Sequence, residues 1–275
     1  MSGDMAADAA RKGGHGNQPA LGVLMLETRF PRPRGDVGNP ESFAFPVRYQ
    51  VVPGASPQRV VREAAAGLLQ PFIDAGHALI AQGCVGITTS CGFLVLFQHE
   101  LAAALPVPVL TSSLLQIAAI ERSLPAGQRA GVVTISAANL GAAHLAAAGA
   151  RVDTPVQGVA PESEFAERIL GNQPQLDVAQ AERDVVAAAQ QLTARHPEVG
   201  ALVLECTNMP PHADAVRRAT GLPVFDALSA IEAFWNGIAA NAIGAGSAAG
   251  NAGGHTGGHT GDHTSSHAGG GSIKR

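Results

Sequence analysis

The same succession of elements occurs twice in this chain, and each time it delivers a cysteine. Val85–Thr89 is a short β-prone run that leads through Ser90 to Cys91, then a helical stretch at Phe93–Ala104 and a short strand at Val107–Leu110. Ala201–Glu205 leads to Cys206, then a helical stretch at Ala213–Thr220 and a short strand at Pro223–Phe225. Continuous apolar runs of this length suit strands buried on both faces, as in parallel sheets covered by helices. Such a sheet binds ligands beyond the carboxyl ends of its strands. The repeat therefore predicts an α/β chain of two pseudo-symmetric lobes. Each holds a mostly parallel sheet flanked by helices, with a site in the cleft between them.

The remaining elements fit this frame. Leu21–Leu26 and Val47–Val52 read as strands, separated by Glu27–Pro46, whose Pro31, Pro33, Gly35, Gly38, Pro40 and Pro46 make it a long loop. Helical periodicity covers Gln58–Gln82, with a break expected at Pro71. Ser112–Ser123 reads as a helix capped by Ser112, Ala130–Ile135 as a strand, and Ala137–Ala148 as a helix. A strand near Arg151–Val156, helices near Glu162–Leu170 and Val178–Arg195, and a closing helix at Leu228–Ala240 follow. The expected organisation is a disordered leader at 1–19, lobe one at 20–120 plus 225–241, lobe two at 121–224, and a disordered Gly/His-rich tail at 242–275.

Composition narrows the function. Hydrophobic residues are 46% and charged residues 15%, enough for a sizeable core. A net charge of −4 offers no basic footprint, so nucleic acid is not an expected partner. No apolar run approaches the ~20 residues that cross a bilayer. The polar, Gly-rich start does not read as a secretory signal. Three cysteines without close spacing argue against a disulfide framework and for the cytoplasm. His255, His259, His263 and His267 lie four apart, but their Gly-rich surroundings do not hold helix, so no metal site is expected.

Cys91 and Cys206 each stand just ahead of a helical stretch, where outward-pointing N–H groups favour a thiolate and can hold a substrate carboxylate. A free cysteine is often only a small buried hydrophobe, and that reading suits Cys84; the matched settings of the other two point to chemistry. Ser90, Thr207, Asn208 and Thr134 supply hydroxyls and an amide at strand ends. Arg29, Arg34, Asp36 and Asn39 occupy the long loop, where an arginine could clamp a carboxylate and Asp36 or Asn39 contact an amine or amide. Helix capping and turn formation are competing roles for these polar residues. Glu205 is open between a buried acid beside the thiol and a residue on the opposite face.

The motifs Thr88-Thr89-Ser90-Cys91-Gly92 and Glu205-Cys206-Thr207-Asn208, 115 residues apart, resemble those of the aspartate/glutamate/hydantoin racemase superfamily. The resemblance runs from Leu21 to Trp235, and the loop Thr28–Asn39 is similar to that of an uncharacterised subgroup. It implies a cofactor-independent isomerase, racemising or epimerising a carbon next to a carboxylate or carbonyl of a small amino-acid-like substrate. Cys91 and Cys206 would be its two bases, with Thr207 at a carboxylate position. Thr134, Ser90, Asn208, Arg29 and Asn39 complete the expected substrate-binding set. Four positions depart from the racemase pattern: Gly92-Phe93 stands for the usual Asn-Thr, Glu205 for glycine, and Asn208 for His or Glu. A decarboxylase or cis–trans isomerase on the same fold, and a non-catalytic carboxylate-binding protein, are the rival expectations. The expected partners are a small carboxylate or amide and a second copy of the chain, a homodimer being common for such folds.

Overall fold

A computed structural model describes the backbone of residues 18–250 and the side chains of residues 18–240. Two four-stranded sheets form its frame. The first runs β2-β1-β3-β4, with β1 Ala20–Met25, β2 Val47–Val51, β3 Cys84–Thr89 and β4 Val109–Leu110. The second runs β6-β5-β7-β8, with β5 Arg129–Thr134, β6 Val156–Gly158, β7 Val199–Leu204 and β8 Val224–Phe225. All strand pairs are parallel, and the two sheets share one connectivity. Even an irregularity recurs: the register slips at Ala20/Leu21 against β3 and at Arg129/Ala130 against β7. The two-lobe α/β expectation describes this architecture.

Every residue of β1 and of β7 is buried, as expected of central strands covered by helices on both faces. Each fully buried Leu or Val there contributes roughly 1.5–3 kcal/mol of transfer free energy. The two sheets belong to one compact unit that extends to Ile238.

Several elements differ in detail from the sequence reading. The helical run over 58–82 breaks at Glu63–Leu68 rather than at Pro71, giving α1 Pro57–Arg62 and α2 Leu69–Ala81. Ala64 and Ala65 have positive φ there. Pro71 falls in the first turn of α2, where its missing N–H leaves no helical bond unmade. The segment after Cys91 starts as a 3-10 turn over Gly92–Phe97 before α3 Gln98–Ala104. A second 3-10 turn, Ser113–Gln116, precedes α4 Ile117–Ser123; the Ser112 hydroxyl caps it by accepting from the Leu114 N–H. Helix α5 is confined to Ala142–Ala147, and β6 begins only at Val156, after the turn that holds Asp153. Helices α6 Glu164–Leu170, α7 Val178–Arg195 and α8 Ala213–Thr220 fall close to expectation. Helix α9, Ala227–Gly250, continues past Ile243, where an irregular tail was expected; extending an existing helix costs little compared with starting one. The leader up to residue 17 and the four-histidine repeat lie outside the described residues. Among the described residues no helix is long and apolar enough to cross a membrane.

Candidate active site

The carboxyl ends of both sheets meet, and hydrogen bonds stitch the meeting point together. The Thr207 hydroxyl donates to the Ser90 carbonyl at 2.6 Å, and the Ser113 hydroxyl donates to the Leu204 carbonyl at 2.8 Å. Val37 N–H reaches the Thr207 carbonyl at 3.3 Å. Farther out, the Asn172 side chain accepts from Arg29 N–H at 2.6 Å and donates to the Glu27 carbonyl at 3.2 Å. These bonds hold the loops after β1, β3 and β7 against one another.

Between those loops lies a small cavity of about 20 Å³, lined by both thiols together with Ser90, Glu205, Thr207, Asn208, Arg32, Phe30, Phe93 and apolar side chains. Cys91 is 9% exposed and Cys206 is 7% exposed. A wider, open cavity of about 680 Å³ adjoins it and shares Leu26, Phe30 and Arg32. Phe30 and Arg32 therefore form the wall between the enclosed thiol chamber and the outside. The Arg32 guanidinium lies 4.7 Å from the centre of the Phe30 ring.

The residues expected from the sequence divide into two groups. Cys91, Cys206, Ser90, Thr207 and Asn208 line the chamber. Ser90 and Thr207 are engaged in structural bonds, since Ser90 Oγ accepts from Leu26 N–H at 3.0 Å. Thr134 is fully buried behind the chamber and donates to Glu205 Oε2 at 2.8 Å. Arg29 lines only the outer cavity. Asn39 caps the short turn Pro40–Ser42 and donates to the Arg32 carbonyl at 2.9 Å, so it shapes the loop.

Arg32 and Phe30 were not singled out from the sequence, and Phe93 was noted only as a departure from the racemase pattern. Arg32 is one of several arginines in a Pro-rich loop, and nothing in that spacing tells which one turns inward. The structural reason is Asp36. Its buried carboxylate accepts from Arg32 Nη1 at 2.7 Å, while Arg32 Nη2 donates to Thr28 Oγ1 at 2.8 Å. The other Asp36 oxygen accepts from Asn208 Nδ2 at 2.6 Å, and the Cys206 thiol donates to Asn208 Oδ1 at 3.4 Å. A continuous path, Cys206–Asn208–Asp36–Arg32–Thr28, thus ties the second thiol to the loop after β1.

Electrostatics invert one expectation. Burial pushes the Cys91 thiol up to about 12, with the Glu205 carboxyl adding to the rise; the Phe93 N–H and Arg32 oppose it. Burial also carries Cys206 well above its usual value, reinforced by Glu205, Cys91 and Asp36, with the Asn208 N–H opposing. Helix-start donors are present, but desolvation outweighs them. Glu205 is 0% exposed, and burial lifts its carboxyl to about 8 against the opposing Thr134 hydrogen bond. Both thiols and the Glu205 carboxyl are thus held in their neutral forms at pH 7.

No family model matches the chain. Among curated proteins it is similar to a dimethylsulfoniopropionate lyase of Durusdinium sp. clade D, 32% identical over 229 residues, which cover 81% of this chain and 76% of that protein. Dimethylsulfoniopropionate lyase 7 of Emiliania huxleyi is 33% identical over 227 residues, covering 78% of this chain and 66% of that protein. Among solved structures the fold is similar to a mutant of arylmalonate decarboxylase (TM-score 0.55, 16% identity, 79% of this chain and 91% of that one). It is also similar to allantoin racemase from Pseudomonas fluorescens (TM-score 0.52, 16% identity, 81% and 92%). The racemase-superfamily fold is therefore as expected, but the expected reaction is not. The relatives that share about a third of the sequence are lyases, so the assignment as a racemase and isomerase is overturned. The fold carries more than one chemistry, and the motif departures at Gly92, Glu205 and Asn208 lie in the chamber or against it.

Proposed function

This chain belongs to the dimethylsulfoniopropionate lyase family, and from that premise we propose that it cleaves dimethylsulfoniopropionate, or a closely related onium carboxylate, by β-elimination. The observation that carries this reading is the shared chamber, where two neutral thiols, an arginine and a buried carboxyl line one enclosed space. The substrate is a zwitterion, with a sulfonium at one end and a carboxylate at the other. Its α-hydrogens lie between the two.

Arg32 has donors left after binding Asp36 and Thr28, and these suit a carboxylate at the chamber wall. Phe30 and Phe93 present apolar, π-rich surface to the cationic end. The sulfonium brings the positive charge that the buried thiols lack, so substrate binding itself favours thiolate.

Cys91 is assigned as the base. Arg32 favours its thiolate, whereas the Cys206 proton is engaged by Asn208. The Cys91 thiolate removes the α-proton, the C–H electron pair becomes the C=C bond, and the C–S pair leaves with neutral dimethyl sulfide. Acrylate remains and the proton stays on sulfur until it is lost to solvent. Positive charge on the departing sulfur disappears in the transition state, and the enclosed chamber keeps water from competing for the base. Purified protein given dimethylsulfoniopropionate should release dimethyl sulfide and acrylate in equal amounts, measured by headspace gas chromatography and NMR. Absence of both products across pH 6–9 would refute the reading.

A further inference from the structure

Glu205 lines the same chamber, and the elimination leaves it without a task. Its side chain is completely enclosed. Oε2 accepts the Thr134 hydroxyl at 2.8 Å, but Oε1 is buried and finds no hydrogen-bond partner among the described residues. Gly92 makes room for this carboxyl: a Cβ at position 92 would collide with Oε1 and with the Glu205 carbonyl oxygen. An enclosed carboxyl with an unmatched oxygen is costly unless a ligand supplies its partner.

The groups around it define what that partner must be. Cys206 adjoins it on the same loop, Cys91 faces it from the loop after β3, and Asp36 and Arg32 come from the loop after β1. The two thiols and Asp36 are acids, Ser90, Thr207 and Asn208 are neutral, and Arg32 is already paired with Asp36. The Ser113 hydroxyl, from the turn after β4, is turned to the Leu204 and Glu205 carbonyl oxygens. Positive charge or a hydrogen-bond donor on a ligand would supply the missing partner.

Building on the lyase reading, we infer that Glu205 is the residue that recognises the onium end of the substrate, its ionised Oε1 facing the cation while Arg32 holds the carboxylate. The chamber then has two poles that match a zwitterion and reject a simple carboxylate. Binding removes one proton from the acid cluster to solvent, because the empty site holds Glu205 neutral up to about pH 8.

The test uses two carboxylate probes of equal shape, 3-(trimethylammonio)propionate, whose head group is cationic, and 4,4-dimethylpentanoate, whose head group is neutral. Titration calorimetry at pH 7, in buffers of different ionisation heat, reads both affinity and proton release. The full chain should bind the cationic probe about tenfold to a hundredfold more tightly than the neutral one, with release of a proton. Glu205→Gln should bring the affinity ratio to about one and abolish the proton release, while Glu205→Asp, which keeps the charge, should retain part of the preference. A Glu205→Gln protein that keeps both the ratio and the proton release overturns the inference, as does equal weakening of both probes. Neither probe requires turnover. Cation preference through Glu205 without dimethyl sulfide production would sink the lyase reading alone; lyase activity with an unchanged ratio would sink this inference alone.

Discussion

The loops after β3 and β7 occupy equivalent places in two sheets of identical connectivity, yet they do not hold equivalent groups. The first loop gives Cys91 only a backbone N–H and the Thr89 hydroxyl near its own amide, with distant help from Arg32 in the loop after β1. The second wraps Cys206 in side chains: Glu205 before it, and Asn208 after it in contact with both the thiol and Asp36. An inversion of configuration needs two bases that exchange roles across a carbon, and a symmetric frame serves that purpose. An elimination needs one base and a place for the onium group that departs as a neutral sulfide. The asymmetry of the two loops is what a one-way reaction requires, built on a frame suited to a two-way one.

Removing each thiol in turn should expose that asymmetry most strongly. Cys91→Ser should lower kcat/KM for dimethyl sulfide release by about 10³-fold or more, since it deletes the base. Cys206→Ser should cost about ten to a hundredfold, because Asn208 and Asp36 remain to hold the loop. Equal losses in steady-state assays would restore symmetry between the loops and contradict the assignment.

The ion pair that links the second loop to the loop after β1 comes next. Asp36 is 1% exposed, and Arg32 would be left inside the protein without its partner in Asp36→Asn. Urea unfolding should show a loss of about 3–5 kcal/mol. A loss near zero would mean that the two loops are held by backbone bonds alone.

Glu205 predicts a pH signature that only the second loop produces. Its folded value, about 8, lies above the ordinary carboxyl value, so the folded protein binds more protons than the unfolded chain between these two values. The contribution to stability is therefore fully present at acid pH and is lost as pH rises toward about 8 and through it. Thermal unfolding between pH 5 and 8.5 should show a decline in Tm that Glu205→Gln flattens. An unchanged slope in that variant would place the titrating group elsewhere.

The smallest expected effect lies where the two loops touch. Gly92→Ala crowds Glu205 and should cost about 1–3 kcal/mol. Combined with Glu205→Ala the cost should shrink in part, the clash with the backbone carbonyl of residue 205 remaining, and a double-mutant cycle reads the relieved part as coupling. Additive losses would show that position 92 is tight for some other reason.

Much of the frame was legible in the sequence because buried parallel strands write themselves as short apolar runs. Leu21–Leu26, Val85–Thr89 and Ala201–Glu205 could hardly be anything else. The thiols followed from position, since each stands where such a strand ends. The loop after β1 was not legible in this way. Arg29, Arg32 and Arg34 are alike in a Pro-rich segment, and only the three-dimensional position of Asp36 turns Arg32 inward. The break between α1 and α2 was hidden for a related reason: proline marks a break only when it falls inside a helix, and Pro71 falls in a first turn. Glu205 could be noticed but not placed, because its environment is assembled from Thr134, Gly92 and Cys91, all distant in the chain. The reaction was least legible of all. Paired cysteines on this fold serve several chemistries, and the groups that distinguish them surround the thiols rather than include them.

The most direct test of a one-base elimination in this chamber is proton NMR of dimethylsulfoniopropionate incubated with the protein in deuterium oxide. The account predicts acrylate and dimethyl sulfide in equal amounts, no deuterium at the α-carbon of the remaining substrate beyond what Cys206→Ser also gives, and loss of all signal change in Cys91→Ser. Substrate recovered intact but deuterated at that carbon, with both thiols required for the exchange, would contradict it.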